Sequence, residues 1–290
     1  MKETPLAAGE IVVINGVSIW YRLAGEGLTL IAQCPGWGAG SAFLQRTLTP
    51  LEEHFRILYY DTRGSGLSER PKDSTDISIG HMVRDLEALT RHLGITRFSL
   101  LGNSHGALIS LNYALKYPRH LSSLVLIAPQ LGQYEVRADA RRNIPKLQNE
   151  PKYQAAVREW RAAHSPKTDE EFGGWFKRVF PLYFYDPDIG DSYWGQMQLD
   201  VIARETCRAV SASNLRYSVR NRLGKILVPT LVIVGKHDFI TSPSQAQVIH
   251  EGIIDSEMIT LENSGHFPWL EEPEKVFPAI ISFLRRHATK

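Results

Sequence analysis

Residues 102–106 read Gly-Asn-Ser-His-Gly, so that a serine stands between two glycines. A buried apolar run, 98–101, precedes this motif, and a stretch of helical periodicity, 105–117, follows it. A serine at a tight strand-to-helix turn is held in a strained backbone conformation that exposes its hydroxyl, and the flanking glycines let the two elements approach closely. The helix N-terminus behind the hydroxyl favours the negative charge that develops during acyl transfer. The motif therefore predicts that Ser104 is a nucleophile.

A serine nucleophile needs a general base, and the base needs an acid that orients it. Asp238 and His266 each come just after a predicted strand, at 231–234 and 258–261. The carboxyl ends of the strands of an open α/β sheet meet at one edge, and sites form there. We therefore predict a catalytic triad of Ser104, Asp238 and His266. Gln130 follows another predicted strand at this edge, but an amide cannot be the acid.

Acyl transfer also needs two donors that bind the oxyanion. The backbone N–H of His105, directly after the nucleophile, is expected to supply one. The other is expected from the loop at 34–38, which reads Cys-Pro-Gly-Trp-Gly. Proline has no N–H, so Gly36 is the first choice and Trp37 the second.

The predicted catalytic residues can come together only if the strands that precede them end at the same edge of one sheet. Continuous apolar runs, which suit strands buried on both faces, alternate with stretches of helical periodicity at 77–93, 105–117 and 273–287. Asn15-Gly16 between two β runs predicts a hairpin. The pattern predicts an α/β fold with a mostly parallel central sheet and helices on both faces. The predicted strands lie at 11–14, 17–23, 28–32, 55–60, 98–101, 124–128, 231–234 and 258–261.

The alternation stops after residue 130 and resumes at 218. We therefore predict a core formed by 1–130 and 218–290, with 131–217 inserted as a helical cap. The insertion is rich in aromatic residues. Four of them, Trp175, Phe180, Tyr183 and Trp194, are candidates to contact an apolar substrate in a pocket between cap and core. The alternative is that they form the small core of the insertion itself.

The composition narrows the functional class. With 33 basic and 31 acidic residues, the chain of 290 residues carries a net charge of +2, which predicts neither a nucleic-acid partner nor a membrane-binding patch. Two separated cysteines give no disulfide framework, and no secretory leader or long apolar segment is evident. We expect a soluble cytoplasmic protein that acts on a small-molecule substrate without a metal or an organic cofactor. The oligomeric state stays open.

With these motifs the sequence strongly resembles the α/β-hydrolase superfamily. The matching segments are the nucleophile motif at 102–106, Gly-Lys-His-Asp at 235–238, Ser-Gly-His-Phe-Pro-Trp at 264–269, and Tyr-Asp-Thr-Arg-Gly-Ser-Gly-Leu-Ser at 60–68. The loop at 34–38 resembles that of the proline iminopeptidase branch. This chain has Cys34 where that loop usually has histidine, and Trp37 where it has proline. The resemblance implies a serine hydrolase, with a fold as predicted above.

The resemblance leaves the substrate class open. Prolyl aminopeptidases of this branch need acidic groups to bind the free amine of the substrate, because an unpaired ammonium in a closed site is costly. Here Phe239 follows Asp238, in a loop that supplies such an acid in some relatives, and Glu205 is available in the cap. Because the cap is aromatic rather than acidic, an apolar ester or lactone is preferred to a prolyl peptide.

Further alternatives are an acyltransferase or cyclase, in which the cap excludes water from the same acyl-enzyme, and a non-catalytic ligand-binding protein on this fold. Two residues near the motifs have plainer interpretations. Arg63 is expected to pair with a nearby carboxylate in a structural turn rather than to bind substrate. Cys34 is expected to be a small buried thiol rather than a reactive one.

Overall fold

Eight strands form one sheet in the computed structural model, which describes residues 8–162, 166–197, 202–215 and 217–287. The strand order is β1-β2-β4-β3-β5-β6-β7-β8. The first three positions pair antiparallel, and every pairing from β4 to β8 is parallel. The strands are β1 (Glu10–Ile14), β2 (Val17–Ala24), β3 (Thr29–Gln33), β4 (Arg56–Tyr60), β5 (Phe98–Asn103), β6 (Leu121–Ile127), β7 (Thr230–Gly235) and β8 (Ser256–Leu261). The predicted mostly parallel sheet is confirmed.

The first hairpin closes at Asn15 and Gly16, which have φ angles of 49° and 79°. Its strands pair from Ile14 with Val17 outward. Positive φ at both central residues is what a type I′ turn requires, and asparagine and glycine tolerate it best. The prediction from the Asn-Gly dipeptide is therefore confirmed.

Helices cover both faces of the sheet and explain the continuous apolar runs. Along β3, Leu30 and Ala32 belong to one buried cluster, whereas Ile31 belongs to the cluster on the opposite face. On the Ile31 face lie α3 (Ile79–His92), α4 (His105–Lys116) and α10 (Pro243–Gly252). On the other face lie α1 (Ala42–Thr47), α2 (Thr49–Glu52) and α12 (Pro273–His287), and the short α11 (Pro268–Glu271) precedes α12. Because helices cover both faces of the sheet, successive residues of a strand are buried on one face or the other. The strands therefore show no alternation of apolar and polar residues.

In the described part of the predicted insertion, five α-helices lie between β6 and β7. They are α5 (Gln133–Leu147), α6 (Gln154–Arg161), α7 (Asp169–Val179), α8 (Pro187–Met197) and α9 (Arg204–Ser213). Within the described part of 131–217 the only β pairing is an isolated bridge between Gly132 and Ser218, just outside its end. The helical character of the segment agrees with the prediction, and its role as a cap stays a prediction. In the described part of the chain, no helix combines the length and apolar character needed to cross a bilayer.

Candidate active site

Ser104 occupies the sharp turn between β5 and α4. Its φ and ψ are 55° and −120°, a region that a residue with a side chain rarely adopts. Two hydrogen bonds hold the turn against β6 and the segment after it: the Ser104 N–H donates to Ile127 O at 3.0 Å, and the Gln130 N–H donates to Ser104 O at 3.3 Å. The predicted strained strand-to-helix turn is present.

The glycines of the motif allow β5, α4 and β3 to pack closely. A Cβ atom on Gly102 would lie 2.6 Å from Gly106 O and from Ser110 Oγ. A Cβ atom on Gly106 would lie 2.9 Å from Gln33 O, in β3. Because these neighbours are mostly backbone atoms, a side chain at either position would force the turn apart. The glycines thus fix where the Ser104 hydroxyl stands.

His266 and Asp238 form a buried pair at the ends of β8 and β7. His266 Nδ1 lies 2.7 Å from Asp238 Oδ2, and the two side chains are 4% and 0% exposed. A carboxylate accepts only, so Nδ1 carries the proton and Nε2 is left as an acceptor. The backbone N–H of His266 donates to Tyr183 O at 2.7 Å, which fixes the histidine from the insertion side.

Thr241 contacts both residues of this pair. Its hydroxyl donates to Asp238 Oδ2 at 2.7 Å and lies 3.1 Å from His266 Nδ1. The backbone N–H groups of Ile240 and Thr241 both donate to Asp238 Oδ1 at 2.9 Å. Hydrogen bonds therefore fix both carboxylate oxygens of Asp238. The fixed carboxylate in turn holds the His266 imidazole in one orientation.

Ser104 and His266 open onto one cavity of about 230 Å³ between the sheet edge and the insertion. Most of its lining is apolar, and seven aromatic residues contribute: Trp37, Phe43, Trp160, Trp175, Phe176, Tyr183 and Phe267. Among the described lining residues there is no Asp or Glu, although 198–201, next to the lining residue Ile202, lies outside the description. The cavity has room for a small, largely apolar ligand next to Ser104.

Two of the four predicted substrate contacts line this cavity and two do not. Trp175 and Tyr183 lie on its surface. Phe180 is 1% exposed and packs on Trp194 at 4.9 Å between ring centroids, within a cluster that includes Phe184. The prediction is corrected for Phe180 and Trp194, because a small helical layer uses its largest rings to build its own core.

The predicted oxyanion donors flank Ser104. His105 is the first residue of α4, so its backbone N–H has no partner within the helix. Pro35 and Trp37 line the cavity together with Ser104, and Gly36 lies between them with a φ of +65°. A Cβ on Gly36 would meet Met82 Sδ at 2.7 Å and Ile109 Cδ1 at 2.9 Å. Glycine is thus required at this turn, and the Gly36 N–H donates to the Cys34 sulfur.

The His105 side chain ties this loop to the nucleophile turn. Its Nδ1 lies 2.7 Å from Pro35 O, and its Nε2 lies 3.4 Å from Asn214 Nδ2. A carbonyl accepts and an amide nitrogen donates, so the imidazole is neutral with its proton on Nδ1. Burial lowers the pKa of His105 to about 4, although the hydrogen bond to Pro35 raises it. The ring therefore stays neutral and bonded at neutral pH.

Cys34 and Arg63 are structural residues, as expected from the sequence. Cys34 is fully buried, its thiol lies 3.2 Å from Ala39 O, and burial raises its pKa to about 12, so it remains a thiol. Arg63 Nε and Nη2 donate to the two carboxylate oxygens of Asp85 at 2.5 and 2.7 Å, and both residues are buried. Both interpretations made from the sequence are confirmed.

Neither position considered for binding a substrate amine places an acid at the cavity. Glu205 has a side chain that is 67% exposed, and it pairs with Arg204 and Arg208 on the outside of α9. Phe239 is 1% exposed and packs on Trp160 and Tyr183. Neither position presents a carboxylate to the lining described above.

Glu271 joins the insertion to the loop that carries His266. Its Oε1 accepts from the N–H groups of Tyr185 and Asp186 at 2.7 and 3.0 Å, and its Oε2 accepts from the Gly265 N–H at 2.6 Å. Burial raises the pKa of Glu271 to about 7, against the lowering effect of these hydrogen bonds. One carboxylate thus spans two segments that are remote in the sequence.

Sequence reasoning missed Thr241, Glu271 and Arg137, and it considered Gln130 only as a residue that cannot be an acid. A local signal existed for Thr241, because aspartate and threonine side chains both form hydrogen bonds within turns. Arg137 and Gln130 line the cavity, but neither belongs to a motif. In the described chain, no three His, Cys, Asp or Glu side chains converge as a metal site would require.

Comparisons with known proteins agree with this fold. The family model of the alpha/beta hydrolase fold matches residues 30–273. A proline iminopeptidase from Saccharolobus solfataricus is 28% identical over 282 residues, which cover 93% of this chain and 90% of that protein.

Two solved structures share the fold. An esterase from Exiguobacterium antarcticum has a TM-score of 0.73 at 24% identity, covering 96% of this chain and 100% of that one. The enol-lactonase from Burkholderia xenovorans LB400 has a TM-score of 0.72 at 21% identity, covering 95% and 100%.

Proposed function

The chain belongs to the α/β-hydrolase family, and from this premise we propose that it is a serine hydrolase that cleaves an apolar carboxylic ester or lactone through an acyl-enzyme. One observation carries the proposal. Ser104, strained at its turn, shares an aromatic cavity with His266, whose Nδ1 is fixed on Asp238 at 2.7 Å. A nucleophile, a base and an orienting acid thus stand in the chain order of this family.

The tautomer of His266 defines the first step. With Nδ1–H donated to Asp238, Nε2 accepts the proton of the Ser104 hydroxyl as its oxygen attacks the substrate carbonyl. Asp238 stabilises the imidazolium that forms. His266 then gives the proton to the leaving alkoxide, and water hydrolyses the acyl-enzyme by the reverse sequence. In a lactone the leaving alkoxide is part of the acyl chain, so a single hydroxy acid is released.

Backbone donors bind the oxyanion in this proposal. The His105 N–H is free of an intrahelical partner and lies at the positive end of α4. The second donor is the N–H of Gly36 or of Trp37, on the loop that His105 holds through Pro35 O. Two such donors at a water-poor site stabilise the transition state by several kcal/mol. In comparable hydrolases, removing one donor costs about 3 kcal/mol of this stabilisation.

We assign residues 131–217 as the cap of the enzyme. Trp160, Trp175 and Tyr183 from this segment line the cavity, and α5 lies along another part of it. The cap then determines which acyl or leaving group fits, while 1–130 and 218–290 carry the triad.

A prolyl aminopeptidase is the second candidate, because the similar protein from Saccharolobus solfataricus is named a proline iminopeptidase. Its substrate would bring an ammonium group into the cavity. Among the described lining residues Arg137 carries a permanent charge and none is acidic. An ammonium beside a guanidinium and without a carboxylate partner would be strongly disfavoured, so an ester or lactone fits the lining better.

The test is turnover by the wild type and Ser104→Ala on short and medium aryl esters, several lactones and a prolyl anilide. We expect turnover of esters or lactones that Ser104→Ala abolishes. Ser110→Ala is the matched control, since Ser110 Oγ donates to Gly106 O within α4 and does not line the cavity.

Release from the prolyl anilide alone would establish the second candidate. Turnover that persists in Ser104→Ala would refute the assigned nucleophile. Capture of the acyl group by an added alcohol or amine in preference to water would indicate an acyltransferase.

A further inference from the structure

One side of the cavity is built by the segment that runs from β6 into α5. Gln133, Val136, Arg137 and Ala140 of α5 all line it. These positions are three, four and seven apart, so they share one face of the helix. Arg137 is an exposed residue, and its side chain extends from the face of α5 that borders the cavity.

The neighbouring charges of α5 are engaged elsewhere. Asp139 is 2% exposed, and its Oδ2 accepts from Ser242 Oγ at 2.6 Å and from Gln245 Nε2 at 2.7 Å. Glu135 Oε1 accepts from Ser218 Oγ at 2.7 Å. Within the described ranges, no carboxylate lies at ion-pair distance from the Arg137 guanidinium. This cation thus borders an aromatic cavity without an anionic partner from the described chain.

Gln130 is another polar residue that lines the same cavity. Gln130 is 4% exposed, and its backbone N–H bonds to Ser104 O, which places it next to the nucleophile. Gln130 Nε2 is buried and has no hydrogen-bond partner in the described structure. Buried donors are nearly always satisfied, and an unsatisfied one at a ligand cavity marks a place where a ligand acceptor is expected.

We propose that Gln130 and Arg137 form a carboxylate subsite, so that the enzyme selects esters or lactones whose acyl or leaving group carries a second, ionised carboxylate. This inference rests on the proposed function, because the scissile carbonyl must lie at Ser104. A guanidinium and an amide NH₂ both donate, and a carboxylate accepts from both. The aromatic rings contact the carbon chain between the two ends of the substrate.

The experiment compares two esters of equal shape. Mono-4-nitrophenyl adipate carries the free carboxylate, and the 4-nitrophenyl ester of adipamic acid carries a neutral amide in its place. We expect the wild type to cleave the adipate with a kcat/KM about 10- to 100-fold above that of the amide, the range for hydrogen bonds to a charged group.

Arg137→Gln should remove this preference, because kcat/KM for the adipate should fall to about the value for the amide. Arg137→Lys should retain part of the preference, since it keeps the charge but loses the planar fork. Arg141→Gln is the matched control, because Arg141 is exposed on the same helix and does not line the cavity. Equal kcat/KM values for the two esters in the wild type, or an equal loss on both in Arg137→Gln, would overturn the proposal.

Gln130→Met gives an independent readout. Removing an unsatisfied donor should raise the melting temperature of the free enzyme while lowering kcat/KM for the adipate. A lower melting temperature would show that Gln130 has a structural partner and would remove it from the subsite.

Failure of the subsite and failure of the proposed function are distinguishable. If neither ester is cleaved, the proposed function fails on these substrates, and adipate binding tests the subsite alone. Calorimetric titration of Ser104→Ala with adipate should then give binding that Arg137→Gln weakens and Arg141→Gln does not. No binding by Ser104→Ala would overturn the subsite as well.

Discussion

The imidazole of His105 donates from Nδ1 to the carbonyl oxygen of Pro35 at 2.7 Å, across 70 residues of sequence. Through this bond the residue after the proposed nucleophile holds the loop in which we propose the second oxyanion donor. Its other nitrogen, Nε2, faces Asn214 at the end of α9. One buried ring thus connects the nucleophile turn, the oxyanion loop and the insertion.

We predict that His105→Ala lowers kcat by about 10- to 100-fold with a small change in KM. The backbone N–H of residue 105 remains, but the loop loses its anchor, and removing an oxyanion donor outright costs about 100- to 1,000-fold. Steady-state kinetics on the ester that the wild type prefers gives the measurement. His92→Ala, at an exposed position on α3, is the control, and an effect as small as that of the control would argue against a positioning role.

His105 should also make the fold sensitive to acid. Burial lowers its pKa to about 4 from the ordinary 6.5. The unfolded chain binds the proton first, so the stabilisation is fully present above pH 6.5 and is lost as pH falls through 4. We predict that His105→Gln loses less unfolding free energy than the wild type between pH 6.5 and 4, with a difference of up to about 3 kcal/mol. Denaturant titrations at several pH values test this, and parallel curves would contradict it.

Ser104 and His266 should act as one unit. Ser104→Ala and His266→Ala are each expected to lower kcat by about 10⁴- to 10⁶-fold, and the double variant little further. The reason is that proton transfer and attack occur in a single step, so losing either group removes that step. Losses that multiply in the double variant would mean that the two residues do not cooperate.

Thr241 is expected to contribute by orienting the acid and the base. In Thr241→Val, Asp238 Oδ2 loses a donor at 2.7 Å, and a methyl group lies beside the imidazole. We predict that kcat/KM falls about tenfold, the lower end of the effect of removing a group that orients a functional residue. Thr241→Ser keeps the hydroxyl and should restore most of the activity. If Thr241→Ser loses as much activity as Thr241→Val, the hydroxyl alone does not account for the contribution of Thr241.

Glu271 should impose the opposite pH dependence to His105. Burial raises its pKa to about 7 from the ordinary 4.5. The folded chain therefore holds this proton more tightly than the unfolded chain does. The resulting stabilisation is complete below pH 4.5 and is lost as pH rises through 7.

We predict that Glu271→Gln flattens this part of the stability curve between pH 4.5 and 7. Glu274→Gln, at an exposed position in α12, serves as the control and should follow the wild type. A curve for Glu271→Gln that also follows the wild type would show that Glu271 ionises as freely in the folded chain as in the unfolded one.

The sequence by itself determined the strands of the sheet and the residues that are candidates for catalysis. Buried runs such as 98–101 are local patterns, and the Gly-Asn-Ser-His-Gly motif imposes its own turn through the glycines at 102 and 106. Asp238 and His266 could also be identified as candidates for the acid and the base, because the ends of parallel strands meet at one edge of the sheet. All of this depends on short-range periodicity or on the order of elements.

Only the tertiary structure decided which side chains border the cavity. Trp175 and Trp194 are both aromatic residues of the insertion, yet Trp175 lines the cavity and Trp194 packs on Phe180. Likewise, the sequence around Gln130 does not reveal that its backbone N–H bonds to Ser104 O or that its Nε2 is buried without a partner among the described residues. Periodicity predicts that a side chain is buried, but its neighbours come from segments far along the chain, and their packing is set only when the whole core closes.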